Sequence, residues 1–373
     1  MLTITGKAMR STFAIVLSTV LFSCQKDVST TATTPQEEFA TKSIAPQDLK
    51  DFTQVNLVGS NDEYQPARID ATLINAWGIS FPTSGPAWVS SEGAGISEVY
   101  TGDGGVARAP VVVPPAGPVP SGHPTGQVFN ATSDFKLPNG NPARFIFATA
   151  EGGVSGWNTG NNAVKMVDSF PKAAFLGIAL ANDGTGNFLY VANFAQGKIN
   201  VYNKDWMEVH NKPFSDPSIP DGFSPYNIQA IDGKLYVLYA KVDPADGHEQ
   251  EAPGLGYVNV FNPDGSLVRR FVSRGQLNAP WGIAKAPAGF WGEGSSNTNV
   301  FLIGNFGDGR INAFDGDGNF LGQLRQHGQP IAIEGLWGIA FAPSTSTAVN
   351  RNWLYFAAGP EDETQGLFGY IKK

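Results

Sequence analysis

Apolar positions along this chain come in short bursts separated by Gly, Pro, Asn and Asp. Phe52-Thr53-Gln54-Val55-Asn56-Leu57-Val58 alternates apolar and polar residues, the period of a strand with one buried face. No window sustains the i, i+3, i+4, i+7 spacing of an amphipathic helix, so the pattern predicts an all-β fold of short strands. One phrase orders the bursts. Trp77-Gly78-Ile79 returns as Trp281-Gly282-Ile283-Ala284 and as Trp337-Gly338-Ile339-Ala340. Weaker copies are Pro124-Thr125-Gly126-Gln127-Val128, Phe175-Leu176-Gly177-Ile178-Ala179 and Pro225-Tyr226-Asn227-Ile228. Aligned on Gly78, Gly126, Gly177, Asn227, Gly282 and Gly338, the copies lie 48, 51, 50, 55 and 56 residues apart. Such a period indicates a repeat architecture.

Each repeat predicts the same succession. The phrase opens an inner strand. An aromatic-rich second strand follows, such as Leu189-Tyr190-Val191-Ala192 or Leu354-Tyr355-Phe356-Ala357. A turn leads to a third strand, such as Lys198-Ile199-Asn200-Val201-Tyr202, and an Asp-Gly or Asn-Pro-Asp-Gly turn to an outer fourth. The last repeat ends at Lys373 after three strands, and Thr53 to Val58 is the strand left over at the other end. The expected fold is therefore a six-bladed β-propeller of four-stranded blades, closed by an N-terminal strand that completes the last blade. Closure removes the open edges that template aggregation. Inner strands crowd the axis, so Gly is expected where backbones approach closely. The flanking Trp and Ile are expected between neighbouring blades, as core and not as ligand contacts.

Composition changes the picture at the N-terminus. Ser11 to Phe22 is apolar, follows Met9-Arg10, and ends in Leu21-Phe22-Ser23-Cys24. A basic start, a short apolar run and small residues at the cleavage point read as a secretory signal, too short to span a bilayer. Leu, any, small, Cys resembles a bacterial lipobox, which implies acylation of Cys24, attachment to a membrane and export to the cell envelope. The domains are then a lipoprotein signal peptide over 1–23, a flexible tether over 24–50 rich in Thr, Pro, Gln and Ser, and the propeller over 51–373. Cys24 is the single Cys, so its acylation leaves no thiol for disulfides or thiolate catalysis. Only 16% of residues are charged, against about 25% for an average soluble domain. Residues 1–50 hold five Lys/Arg and four Asp/Glu of the chain's 25 and 33, which leaves 20 and 29 beyond them. That acidic balance, with no basic patch, argues against nucleic acid as a partner.

The strands around Leu189-Tyr190-Val191-Ala192-Asn193 and Gly197-Lys198-Ile199-Asn200-Val201-Tyr202 are similar to NHL-type propeller repeats. Asn75-Ala76-Trp77-Gly78-Ile79, then Gly102-Asp103-Gly104 and Pro280-Trp281-Gly282-Ile283, resemble an uncharacterised family of secreted bacterial six-bladed propellers. The resemblance implies fold and export and carries no reaction.

In a four-stranded blade, the loop leading into the inner strand and the loop joining strands two and three share one face. The first set supplies Asn75, His123, Ser224, Asn278 and Glu334. The second supplies Glu92, Glu151, Asn193, Asn305, Asp308, Glu361 and Asp362. The longest such loop runs from Lys241 to Gly256 with Asp243, Asp246, His248, Glu249 and Glu251, a length suited to a lid. Glu334, Asn278, Asn193, Asn305, Asn75, His123 and Glu151 are the channel-face candidates for a ligand or a metal. Hard cations such as calcium take oxygen ligands of this kind. Lactonase-type propellers hold calcium with Glu and Asn/Asp at the channel, although the flanking motifs of that family are absent here. No HxxxH or HExxH spacing supports zinc. No acid, base or nucleophile set stands out as catalytic. The expected function is a monomeric binding or scaffold module with a protein or glycan partner; the alternative is a calcium-dependent lactonase-like hydrolase.

Overall fold

The computed structural model describes residues 44–373; Cys24 and the signal and tether residues before Ile44 lie outside them. Six sheets follow one another around an axis. Their inner strands are Ala76–Ser80, Pro124–Phe129, Phe175–Asn182, Phe223–Ile231, Pro280–Lys285 and Leu336–Ala340. The last blade continues with Leu354–Ala358 and Leu367–Lys372 and is completed by Thr53–Gly59. That strand runs antiparallel to its neighbour, with Thr53 opposite Lys372 and Gly59 opposite Leu367. The chain thus closes as its alternating N-terminal pattern predicts.

The repeated phrase has a structural reason. In all six blades the pairing of the inner strand with the second slips at the phrase: between Ala76 and Ile79, Pro124 and Gln127, Phe175 and Gly177, Pro225 and Asn227, Pro280 and Gly282, and Leu336 and Ile339. Such a bulge re-aims a side chain. Here the re-aimed residues are Trp77, Thr125, Leu176, Tyr226, Trp281 and Trp337, all buried. The three indoles do not lie between blades, as the sequence suggested. They meet one another at the centre. Trp77 stacks on Trp337 with centroids 3.5 Å apart, and Trp281 stands edge-on to both at 5.8 and 5.9 Å. Tyr226 lies 5.8 Å from Trp337. The axis is plugged by these rings, with Leu176 packed among them. Each buried ring contributes roughly 1.5–3 kcal/mol. The Ile residues do pack where expected. Ile178, Ile228, Ile283 and Ile339 belong to four separate cores that each join residues of adjacent blades.

Gly follows the plug residue because the next blade is in the way. A methyl on Gly78 would stand 2.5 Å from the Thr125 carbonyl oxygen, and one on Gly282 would stand 2.9 Å from that of Trp337. On Gly338 it would overlap the Trp77 carbonyl oxygen, which carries the contact back to the first blade. The fourth blade has Asn227 instead. Its amide spans the gap and donates to the Trp281 carbonyl at 2.7 Å. Below the plug only about 20 Å³ remains open on the axis.

The folded body begins earlier than the expected boundary at residue 51. Pro46–Leu49 form a 3₁₀ turn. Ile44 and Leu49 are buried with Phe52, Phe290 and Trp291 in the core shared by the last two blades. Two apolar residues among polar ones were enough to anchor a stretch that composition alone assigns to a tether.

Candidate functional site

On one face, a backbone bond ties the two loops of every blade. The bonds are Glu92 to Asn75, Ala150 to His123, Phe194 to Ala174, Val242 to Gly222, Phe306 to Ala279 and Gly359 to Gly335, at 2.8–3.0 Å from amide to carbonyl. This places the expected loops together around one mouth. The long fourth-blade loop is not free there: Glu249–Gln250 pair with Lys241 and Val242, which fixes Glu249 in direction.

Above the plug lies an open basin of about 620 Å³. Its floor is Phe306, which stacks on Trp337 at 4.0 Å. Its walls carry Glu249, Glu251, Asp308, Glu334, Asp362 and Glu363, with His248. None of the lining residues is Lys or Arg. Burial pushes the Glu249 carboxyl up to about 7, further raised by the charge of Glu363, although Tyr226 and its own backbone oppose the shift. Burial also raises Glu363, with the charges of Glu92 and Glu251 adding to it and the Asn75 amide opposing. Burial, then Asp308 and Asp362, raise Glu251. The Tyr226 hydroxyl is fully buried and faces Glu249 without forming a well-aligned hydrogen bond to any protein group.

The candidate residues fall into two networks. Asn75, held at φ +48°, accepts from the Trp337 indole N–H at 3.0 Å and donates to Glu92 at 3.0 Å and Glu363 at 2.6 Å. His123 Nδ1 meets Glu92 at 2.8 Å, and that contact raises the imidazole above its usual range. Glu151 accepts from the backbone amides of His123 and Ala116 at 3.2 and 3.1 Å. Asn75, Glu92, Glu363, His123 and Glu151 therefore form one hydrogen-bonded arc with the plug. The second network links Glu334 and Glu361 through the Tyr64 hydroxyl at 3.2 and 3.0 Å.

The three Asn candidates at the other blades differ. Asn193 is spent on structure: its oxygen accepts from Ala174 and Gln196 amides, and its NH₂ donates to Gln196 and Asn200. Asn305 donates to the Gln276 carbonyl and Asp308, while its oxygen is buried without a protein partner. The Asn278 oxygen is likewise buried and unpartnered, and its side chain packs on Gly307 of the basin wall. Among the described residues no three His, Cys, Asp or Glu side chains stand where they could hold a metal ion together.

Sequence reasoning missed Glu363, Tyr64, Tyr226 and Phe306 as site residues. Glu363 had a signal: it completes the acidic run Glu361-Asp362-Glu363 in a loop already assigned to this face. All three adopt positive φ, 55°, 50° and 64°, a left-handed turn that costs roughly 1–2 kcal/mol per residue outside Gly. Tyr226 occupies the plug position of its phrase, so periodicity alone marks it as core.

No protein-family model matches the chain. An uncharacterised protein of Acanthamoeba polyphaga mimivirus is 35% identical over 338 residues, which cover 86% of this chain and 86% of that protein. Among solved structures, a protein of unknown function from Bacteroides thetaiotaomicron aligns with a TM-score of 0.52 and 12% identity, over 86% of this chain and 77% of its own. A catalytically inactive virginiamycin B lyase from Staphylococcus aureus with quinupristin aligns with a TM-score of 0.50 and 12% identity, over 87% and 99%. Likeness at that identity extends to the fold.

Proposed function

This chain belongs to the same family as the mimivirus protein, and from that premise we propose that it is a binding module seating its ligand in the acidic basin. The observation that carries this reading is the basin itself: about 620 Å³, aromatic at its floor, and lined by carboxyl groups without a basic residue. Open concave sites with a few convergent polar groups are the default ligand sites of a fold. The calcium-dependent lactonase-like alternative calls for a metal in the channel. It is disfavoured by the commitment of Asn193 to its own loop and by the lack of a three-group metal cluster among the described residues. Export and lipid anchoring through Cys24 belong to the same proposal. They are supported by the apolar run and the Leu21-Phe22-Ser23-Cys24 sequence.

The test uses an array of soluble glycans and peptides and one blocking variant. Ala332 is exposed and lines the basin, so Ala332→Trp fills the site without disturbing the core. The expected result is a ligand whose binding is lost in Ala332→Trp at unchanged Tm. Ligands that bind both proteins alike would move the function elsewhere. A melting curve in chelator addresses the alternative: a lower Tm together with stoichiometric metal would restore the hydrolase reading.

A further inference from the structure

We propose that the basin takes an organic cation, an amidinium group carried on a flat apolar body. The inference rests on reading the basin as the ligand site and adds the class of ligand. Its first ground is unmatched charge. The carboxyl groups of Glu249, Glu251, Glu363 and Asp362 share one cavity, and no Lys or Arg lines it. The second ground is unmatched hydrogen bonding. Asn278 is 5% exposed, and its unpartnered oxygen lies at the Gly307 wall. Carboxylates and an amide oxygen accept only, so the missing partner is a donor bearing positive charge. The third ground is the floor. Phe306, backed by Trp337, offers a ring for a flat cation to lie against.

A metal ion is a poorer complement. Metal binding needs several ligands drawn to one point, and among the described residues no three acidic or His groups are so gathered. An organic cation spreads its charge and donors over several ångströms, as these acids are spread over about 620 Å³. The proton behaviour agrees. Glu249 faces Tyr226, Glu363 and His248; Glu363 faces Asn75, Glu92, Glu251 and His248. Burial first, and then the charge of neighbouring acids, makes these groups resist ionisation, and Glu249 titrates at about 7. A bound cation draws off that proton, and lowering the pH protonates the acids, against binding.

Benzamidine is the probe, with benzamide as its neutral counterpart and calcium as the metal arm, each followed by titration calorimetry on the purified chain. Benzamidine is expected to bind at pH 8, to bind about tenfold more weakly at pH 5.5, and to release protons near pH 7. Benzamide is expected to bind at least about tenfold more weakly than benzamidine, as the cost of one unmet charge pair. Glu249→Gln with Glu363→Gln should abolish benzamidine binding without lowering the Tm, and Ala332→Trp should abolish it at unchanged Tm. Equal binding of benzamide, no binding of benzamidine, or stoichiometric calcium that displaces it would each overturn the inference. A glycan or peptide blocked by Ala332→Trp, with no response to benzamidine, would sink the cation and leave the basin as the site. Loss of every response sensitive to Ala332→Trp would sink both.

Discussion

The waist of the ring and its acidic mouth are built on opposite terms. At the waist, packing is tight: Gly against carbonyl, ring against ring, and Asn227 spanning the one step where Gly is missing, although the Trp77 and Trp281 indole N–H groups find no protein acceptor. At the mouth, carboxyl groups gather with no Lys or Arg among them, and burial together with their mutual charge holds Glu249 and Glu363 against ionisation. The same six strands produce both. The inner strand starts at the mouth as loop and becomes crowded sheet at the bulge. The difference teaches that stability here is concentrated where side chains repeat, and chemistry where they do not.

Gly338→Ala attacks the waist and should have the largest effect. The methyl meets the Trp77 carbonyl, and strain of this kind costs about 1–3 kcal/mol. A urea titration should show a lower midpoint with an unchanged slope. A midpoint that does not move would mean that the waist yields as readily as the mouth.

Glu249→Gln attacks the mouth and should act in the other direction. The folded carboxyl is raised to about 7 from an unfolded value of 4.5, so the native state loses stability as pH climbs from about 4.5 through 7 and is level above. Gln carries no such penalty. The variant should match the parent near pH 4 and exceed it at pH 8 by on the order of 1–2 kcal/mol. Parallel Tm profiles for the two proteins across this range would remove the contrast between the regions.

His123 gives the smallest and most specific change. Its imidazole is raised by Glu92, so its contribution is present below the ordinary His pKa and fades as pH rises through the higher folded value. The side chain is 39% exposed, so solvent limits the gain to about half a kcal/mol or less. His123→Gln should lower Tm slightly at pH 5.5 and leave it alone at pH 8.5. An equal drop at both values would assign His123 a packing role.

Much of this was readable in the residues. Blade number, closure by Thr53 to Val58 and the shared face of Asn75, His123, Glu151 and Glu334 all follow from one period and the alternation of strands. Apolar spacing records which strand a residue is on, and so records position around the ring. It does not record what a bulge does to direction. Trp77, Trp281 and Trp337 were therefore placed between blades when they turn to the axis. Nor does it separate two Asn at the same place in different blades. Asn193 is satisfied by Gln196 and Asn200, whereas the Asn305 oxygen is left over, and that depends on partners three and seven residues on. Tyr226 and Glu249 come from separate strands of one blade, and only folding reveals that they meet.

The antiparallel pairing of the closing strand has a directional consequence. Gly59 sits beside Leu367, at the end of the sheet nearest the acids, and Thr53 beside Lys372, at the far end. The polypeptide therefore joins the ring from underneath. The closing strand thus enters on the face turned away from the anionic cup.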